Sequence, residues 1–360
     1  MKKLLAIFLI LLLLAGCGPA APGDSGGATG SATDPAITGK VLQVHFIDVG
    51  QADCAFLEYG DFTMLIDGGN RADSALVVSY LEQQGVQELD AIVCSHAHED
   101  HVGGLPGVLA VYPTAAVYAP TKTYSSDIYD DFIYYADQQG LEITIPAPGD
   151  TIAADGLTIT VLGPVESYAE TNNTSIVLRI DHGENSFLFT GDMETDAERD
   201  MLDHWGDSFD WNVDVLKVGH HGSDTSTGYR FLYATMPTHA VISVGEGNSY
   251  GHPHEVPLSR LEDAGCAIYR TDQLGHIIAT SDGETITFTW GNQQSQPEVP
   301  GTEETDPTEE VGTVYIGNKN SKKLHLPTCK SLPSEKNQVL FDSYDAAIAE
   351  GYTPCSSCLG

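Results

Sequence analysis

Ten residues constrain this chain more than any others: Ser95-His96-Ala97-His98-Glu99-Asp100-His101-Val102-Gly103-Gly104. They follow an apolar run at 89–94 that has the length of a short buried strand, and they lead into a glycine-rich segment from which a helix can start. Side chains at such a strand-to-helix turn project from the carboxyl end of a sheet, where open α/β folds place their ligands. His96 and His98 share one side of an extended chain, whereas Asp100 and His101 belong to the turn beyond it. That division suits two metal ions better than one. Histidine-rich patches also arise as incidental metal affinity, but four potential ligands in this order are much rarer by chance.

Apolar runs at 41–46 and 62–66 read as strands, and 75–84 has apolar positions at helical spacing with a stop at Gly85. Further strands are expected at 157–162, 176–180, 187–190, 214–218 and 240–244, and as a pair between 275 and 290. A helix is expected over 195–203, its acids forming a solvated face. Strands alternating with helices predict sheets covered by helices.

The decapeptide resembles the His-x-His-x-Asp-His motif of the metallo-β-lactamase superfamily. Ile47-Asp48-Val49-Gly50-Gln51 and Leu65-Ile66-Asp67-Gly68-Gly69, placed ahead of it, narrow the resemblance to the branch found at the C-terminal end of the ComEC/Rec2 DNA-uptake proteins. Asn172-Asn173-Thr174-Ser175 and Tyr250-Gly251-His252-Pro253 fit the same branch. The resemblance implies an α/β fold, the αββα sandwich. It also implies two divalent metal ions, Zn or Mn, held by His96, His98, Asp100, His101, Asp192 and His221. Asn173 stands where many members carry a further histidine, and an amide oxygen is a harder and weaker ligand that favours Mn²⁺ or Mg²⁺. Asp192, after the strand at 187–190, would bridge the ions. His221 is the favoured ligand of the pair His220-His221, with His220 toward substrate, and the reverse assignment stays open. Asp48, Asp67 and Ser223 are expected to stand behind the ligands and orient them. For Asp67 the alternative is an acidic turn residue before two glycines. Asp100 would orient the attacking water, while His220, Ser223 or His252 would donate to the leaving oxygen. His254 reads as incidental.

Outside this body the chain changes character. Residues 1–17 read as a signal peptide: Lys2 and Lys3, an apolar stretch too short to span a bilayer comfortably, then Leu14-Ala15-Gly16-Cys17. This resembles a bacterial lipobox, which implies lipidation of Cys17 and an extracytoplasmic, membrane-tethered or secreted protein. An uncleaved anchor and an ordinary secretory peptide are the alternatives. Residues 18–39, rich in Gly, Ala, Ser, Pro and Thr, read as a flexible linker, and 292–312 as an acidic one. Between them lies a hydrolase-like domain at 40–291, and 313–360 forms a small module. Cys54, Cys94 and Cys266 have the contexts of small buried residues.

In the tail, His325-x3-Cys329 and Cys355-x2-Cys358 flank one short helix expected at 344–350. Two pairs of soft ligands suit a tetrahedral zinc ion, and an α+β module this small needs such a staple. A Cys355 to Cys358 disulfide is the alternative. The tail resembles the metal-binding domain of the Ada DNA-repair methyltransferase. In Ada the first ligand is a cysteine that accepts a methyl group, and His325 in that place implies zinc binding without methyl transfer.

The formal net charge is -35, which keeps such a chain soluble and repels polyanions at long range. That counts against a protein that coats nucleic acid, though bound cations invert the sign locally. The tail is the basic exception. Lys319, Lys322, Lys323 and Lys330 there form either a nucleic-acid handle or a merely solvated surface. The reaction implied is metal-dependent hydrolysis, with a DNA phosphodiester as leading substrate. A secreted hydrolase of nucleotides or small esters, and a non-catalytic metal-binding lipoprotein, are the competing readings.

Overall fold

The computed structural model describes residues 39–291 and, within 315–360, all but 327, 328, 330, 342, 343, 356, 357 and 360. The expected signal segment with Cys17, both linkers and Lys330 lie outside the described residues. Among the described residues no helix is long and apolar enough to cross a membrane.

The first half of the body contributes β1 (Leu42–Phe46), β2 (Ala55–Tyr59), β3 (Phe62–Ile66), β4 (Ala91–Val93), β5 (Val117–Tyr118) and β6 (Ile143–Thr144). Interleaved with them are α1 (Ser74–Gln83), α2 (Glu99–Val102), α3 (Leu105–Val111) and α4 (Asp127–Gln138). The second half brings β7 (Thr151–Ile152), β8 (Thr158–Gly163), β9 (Val177–His182), β10 (Asn185–Phe189), α5 (Thr195–Trp205) and β11 (Val215–Lys217). It continues with α6 (Tyr229–Thr235), β12 (His239–Ile242), α7 (Glu255–Asp263), β13 (Ala267–Arg270), α8 (Thr271–Leu274), β14 (Ile277–Ser281) and β15 (Ile286–Trp290). One sheet runs β15-β14-β1-β2-β3-β4-β5-β6 and the other β13-β12-β11-β10-β9-β8-β7. Of the last two strands of the body, β14 returns to pair with β1 and β15 pairs with β14, so chain order and sheet membership part there.

Consecutive strand residues serve different cores, because side chains alternate across a sheet. Leu57, Met64 and Val93 of the first sheet meet Leu178, Phe187 and Val241 of the second in one apolar layer. Their neighbours Phe56, Leu65 and Ile92 face away, against Leu81 of α1, Val108 of α3 and Phe132 of α4. In the second sheet Leu188, Leu216 and Ala240 likewise face Met201 of α5, Phe231 of α6 and Leu261 of α7. The layers are therefore helix, sheet, sheet, helix. Strands covered on both faces read as unbroken apolar runs, which is why they were legible. The parallel pairs β3/β4 and β10/β11 end in register, Ile66 beside Val93 and Phe189 beside Lys217, so the turns beyond them open at the same edges.

One reading of the sequence is corrected here. The acids of α5 are not all solvated: Glu198 is buried, and its carboxylate accepts from the backbone N–H of Thr227 and Gly228 just ahead of α6. Two N–H groups left without helical partners account for a carboxylate on an inward face.

The tail holds β16 (Tyr315–Asn318), β17 (Lys323–His325), β18 (Gln338–Phe341), α9 (Tyr344–Ala349) and β19 (Thr353–Pro354), with the sheet order β18-β16-β17-β19. Leu324, Phe341, Ala347, Tyr352 and Leu359 are its core. His325, Cys329, Cys355 and Cys358 bring their ligand atoms within 4.8 Å of one another. That arrangement could hold a metal ion. Cys54, Cys94 and Cys266 of the body are buried free thiols.

Candidate metal centre

Four turns, two from each half of the chain, build one cleft. The first follows β4, where Ser95 and His96 are buried and His98 precedes α2, which carries Asp100 and His101. The second follows β3: Asp67 adopts φ 59° and the N–H of Gly68 donates to the carbonyl of His101 at 2.7 Å. A Cβ on Gly104 would lie 2.0 Å from the Gly68 carbonyl oxygen, so only glycine lets these two turns touch. The third places Asp192 after β10 through Gly191. The fourth, after β11, holds His220 and His221 at φ 50° and 52°. Two adjacent non-glycine residues in the left-handed region cost on the order of 1–3 kcal/mol each, a strain typical of functional sites.

At the floor of the cleft His101 Nε2 lies 3.3 Å from Asp192 Oδ1, and His221 Nε2 lies 3.3 Å from Asp100 Oδ2 and 3.7 Å from Asp192 Oδ2. His96 Nε2 is 3.9 Å from Asp192 Oδ2 and 3.1 Å from His98 Nδ1. The ligand atoms of Asp100, His101, Asp192 and His221 all fall within 4.8 Å of one another. His101 Nε2 and Asp192 Oδ1 are buried with no hydrogen-bond partner. Buried polar atoms rarely stay unpaired, and lone pairs converging from both sides are what a cation needs.

Each inner ring is steered from behind. Asp67 Oδ2 is 2.8 Å from His101 Nδ1, and Asp67 itself accepts from the Ser95 backbone N–H and hydroxyl. His221 Nδ1 is 3.0 Å from the Ser243 carbonyl oxygen and 3.2 Å from Asp53 Oδ1. With Nδ1 engaged, Nε2 is left to face the cleft floor. Asp53 also holds Lys217 Nζ at 2.7 Å, and both side chains are buried. Lys217 donates in addition to the Val218 carbonyl.

Electrostatics follow from this crowding. Burial by itself would keep His101 neutral, but the carboxylates of Asp192, Asp67 and Asp100 overcome it and push the ring well above the usual imidazole range. Burial is likewise outweighed at His221, which Asp192 and Asp53 push up to about 10. Asp53 is held far below the carboxylate range by Lys217 and His221 against its own burial. A floor this acidic gathers protons when no other cation is there, and divalent metal suits it.

The remaining sequence candidates are placed differently. His98 and His220 line the cleft with Gln51, Glu99, Asn172, Tyr250 and His252, around a volume of about 370 Å³. His221 is fully buried against the carboxylates, whereas His220 stands at the wall, 3.4 Å from Glu194 and 3.1 Å from the Thr225 hydroxyl. Asn173 does not line the cleft: its amide oxygen accepts from the Glu194 backbone N–H, and Asn172 faces the space with a buried, unpartnered Oδ1. Asp48 closes its own turn by accepting from the Gly50 N–H, and the residue behind His221 is Asp53. The Ser223 hydroxyl pairs with Thr225, and His254 accepts from the Asp224 N–H. Asp53 and Lys217 were missed in the sequence, although an acid and a lysine within otherwise apolar runs were a signal.

The chain matches known proteins in both folded parts. Residues 47–246 match the family model described as Metallo-beta-lactamase superfamily, and residues 303–359 match the Metal binding domain of Ada. ComE operon protein 3 of Bacillus subtilis is 32% identical over 265 residues, covering 68% of this chain and 34% of that protein. Recombination protein 2 of Haemophilus influenzae is 30% identical over 245 residues, covering 65% and 28%. Competence protein ComA of Neisseria gonorrhoeae is 32% identical over 232 residues, covering 64% and 31%. The chain thus spans about a third of the length of these relatives. Among solved structures, the metallo-beta-lactamase fold protein YhfI from Bacillus subtilis is 15% identical with a TM-score of 0.46, covering 67% of this chain and 100% of that one.

Proposed function

The chain belongs to the metallo-β-lactamase superfamily as a metal-dependent hydrolase with an added Ada-type metal-binding domain, and from that premise we propose that it is an extracytoplasmic, lipid-tethered nuclease acting on DNA phosphodiesters. The observation that carries the reading is the pair of unpartnered buried atoms, His101 Nε2 and Asp192 Oδ1, at the floor of an open cleft. The names of the relatives, a competence protein and a recombination protein, supply the nucleic-acid substrate. The Ada-type tail, with Lys319, Lys322 and Lys323, offers the positive charge that the acidic body lacks. The lipid tether through Cys17 rests on the sequence around that cysteine.

In this reading His96, His98, Asp100, His101, Asp192 and His221 would hold two divalent cations. When bound, such ions supply Lewis acidity and bring the pKa of water from ~15.7 toward ~7. The chain supplies the rest. Asp67, Ser243 and Asp53 fix the rings so that no reorganisation is needed during reaction. Asp100 Oδ2 lies 3.3 Å from His221 Nε2 and the residue has one side toward the cleft, where it would orient the attacking water. His252, pushed down to about 4 by burial and then by His220 and His221, is neutral at pH 7. Gln51 accepts from the Gly245 N–H through Oε1, so its amide N–H₂ faces His252 Nδ1 at 3.3 Å. The ring proton of His252 therefore sits on Nε2, as a hydrogen-bond donor to a substrate oxygen. His220 is the cleft histidine left to protonate the leaving oxygen.

A second reading, hydrolysis of a small ester or thioester, is favoured by a shorter match. Hydroxyacylglutathione hydrolase of Tolumonas auensis is 39% identical over 84 residues, covering 23% of this chain. The two separate in one experiment. Protein loaded with Mn²⁺ or with Zn²⁺ is offered single-stranded DNA and a glutathione thioester, with Asp192→Asn as control. Cleavage of DNA that Asp192→Asn abolishes supports the nuclease; turnover of the thioester alone replaces it.

A further inference from the structure

Tyr250 is the most exposed large hydrophobic side chain among the described residues, at 68%, and it stands on the rim of the cleft. Single exposed aromatics need no explanation in general. This one is held by an unusual amount of structure. The Asn248 side chain donates through Nδ2 to the carbonyls of Gly245 and His252, and accepts through Oδ1 from the N–H groups of Tyr250 and His252. One amide thus fixes the whole turn. Its two ends are anchored as well. A Cβ on Gly245 would lie 2.6 Å from the Gln51 backbone nitrogen, and one on Gly222 would lie 2.6 Å from Pro253 Cβ, while the His254 N–H donates to the Gly222 carbonyl at 2.8 Å. The turn is therefore locked against the segments that carry Gln51 and His221.

The rings form a ladder. Tyr250 stacks on His252 at 5.6 Å and 24°, and His252 stacks on His221 at 6.4 Å and 24°. Every other side chain around the cleft is polar or charged: Gln51, Glu99, Asn172 and the histidines and carboxylates of the floor. A rigid, exposed phenol ring two ring-steps from the buried His221 is suited to receive a flat apolar face attached to the group being hydrolysed.

We propose that Tyr250 is the specificity platform of the cleft, stacking an unpaired nucleobase that flanks the scissile phosphodiester. This rests on the nuclease reading and deepens it, since a base can lie on Tyr250 only when it is free of its own duplex. The enzyme then acts on single strands, whose bases stack readily on aromatic side chains whatever the sequence.

The test compares the full-length, Mn²⁺-loaded protein with Tyr250→Ala and Tyr250→Phe on two single-stranded oligodeoxynucleotides, one with bases throughout and one with abasic residues around the cleavage position. Metal content and thermal midpoint confirm that each variant is folded. In the wild type the base-bearing strand has the lower KM. Removing one stacking contact narrows that preference by roughly 10-fold in Tyr250→Ala through KM rather than kcat, and Tyr250→Phe, which keeps the ring face, retains it. A wild type that cleaves DNA and a Tyr250→Ala variant with the same preference overturn the platform and leave the nuclease standing. A wild type that cleaves neither strand overturns both.

Discussion

His101 Nε2 and Asp192 Oδ1 lie 3.3 Å apart, both buried, and neither is hydrogen-bonded to the other or to anything else. Imidazole and carboxylate come from opposite sheets, and both are held from behind or by their own turns. Both atoms face a shared space crowded with carboxylates, which favours positive charge there.

Replacing Asp192 by Asn removes one negative charge from that space. Metal content measured on the purified variant is expected to fall, and hydrolysis to drop at least ~100-fold, beyond what the loss of an orienting partner costs. The pH dependence has a definite sign. His221 is pushed up to about 10 in the metal-free protein after burial is outweighed by Asp192 and Asp53, so metal entering at pH 7 must displace its proton. Metal affinity rises with pH, and calorimetric titration in two buffers of different ionisation enthalpy should show proton release on loading.

Lys217→Met leaves Asp53 charged and buried without its lysine partner. Breaking a buried pair from one side costs about 3–5 kcal/mol, which urea denaturation would register. The double variant with Asp53→Asn should be less destabilised than the sum of the two single changes. Additive losses would mean that the pair is not coupled.

Glu198 gives the stability curve a less usual slope. Burial raises its carboxyl pKa to about 7, against the N–H groups of Gly228 and Thr227 and the charge of Arg260, which lower it. The folded chain therefore binds this proton more tightly than the unfolded one, whose carboxyl has its ordinary value near 4.5. The stability involved is fully present below the unfolded pKa and is lost as pH rises from there to about 7, an effect on the order of 2–3 kcal/mol. Denaturation of Glu198→Gln between pH 5 and pH 8 should lack this component of the slope.

His325 in the tail is buried, with Nδ1 3.4 Å from Cys329 Sγ. His325→Ala is expected to lower the zinc released from the chain under a thiol reagent, and His325→Cys to retain it, because four soft ligands complete the tetrahedron. The Cys358 thiol, pushed up to about 12 by burial and by Cys329, must lose its proton to bind zinc. Zinc retention therefore weakens as pH falls.

Much of this was legible in the sequence because buried strands leave apolar runs and the turns after them carry the polar residues. The strand ending at Ile66, the turn carrying Asp67 and the histidines after Val93 are examples. Asp53 and Lys217 were not, since neither shows its partner in a single chain: they lie far apart in sequence, Asp53 just ahead of β2 and Lys217 in β11, on different sheets, and meet only when the two sheets pack together. Asn172 and Asn173 illustrate a finer limit. Adjacent amides look alike in the sequence, and the short helical turn that turns one toward the cleft and the other toward Glu194 is a matter of backbone direction. The helix α4 carried a signal that went unread, Ser126 as its cap with Ile128, Tyr129, Phe132 and Ala136 on one buried face, whereas the two-residue strands β5 and β6 are too short to show a period.

The residues at the cleft floor are divided by the fold: His96, Asp100 and His101 belong to the part of the chain before β6 ends, Asp192 and His221 to the part after β7 begins. An ion seated among them would be a rivet through both sheets, and neither portion would keep it alone. Two fragments expressed separately, divided between β6 and β7, would announce their own reassembly by recovering catalysis, with no dye or label attached.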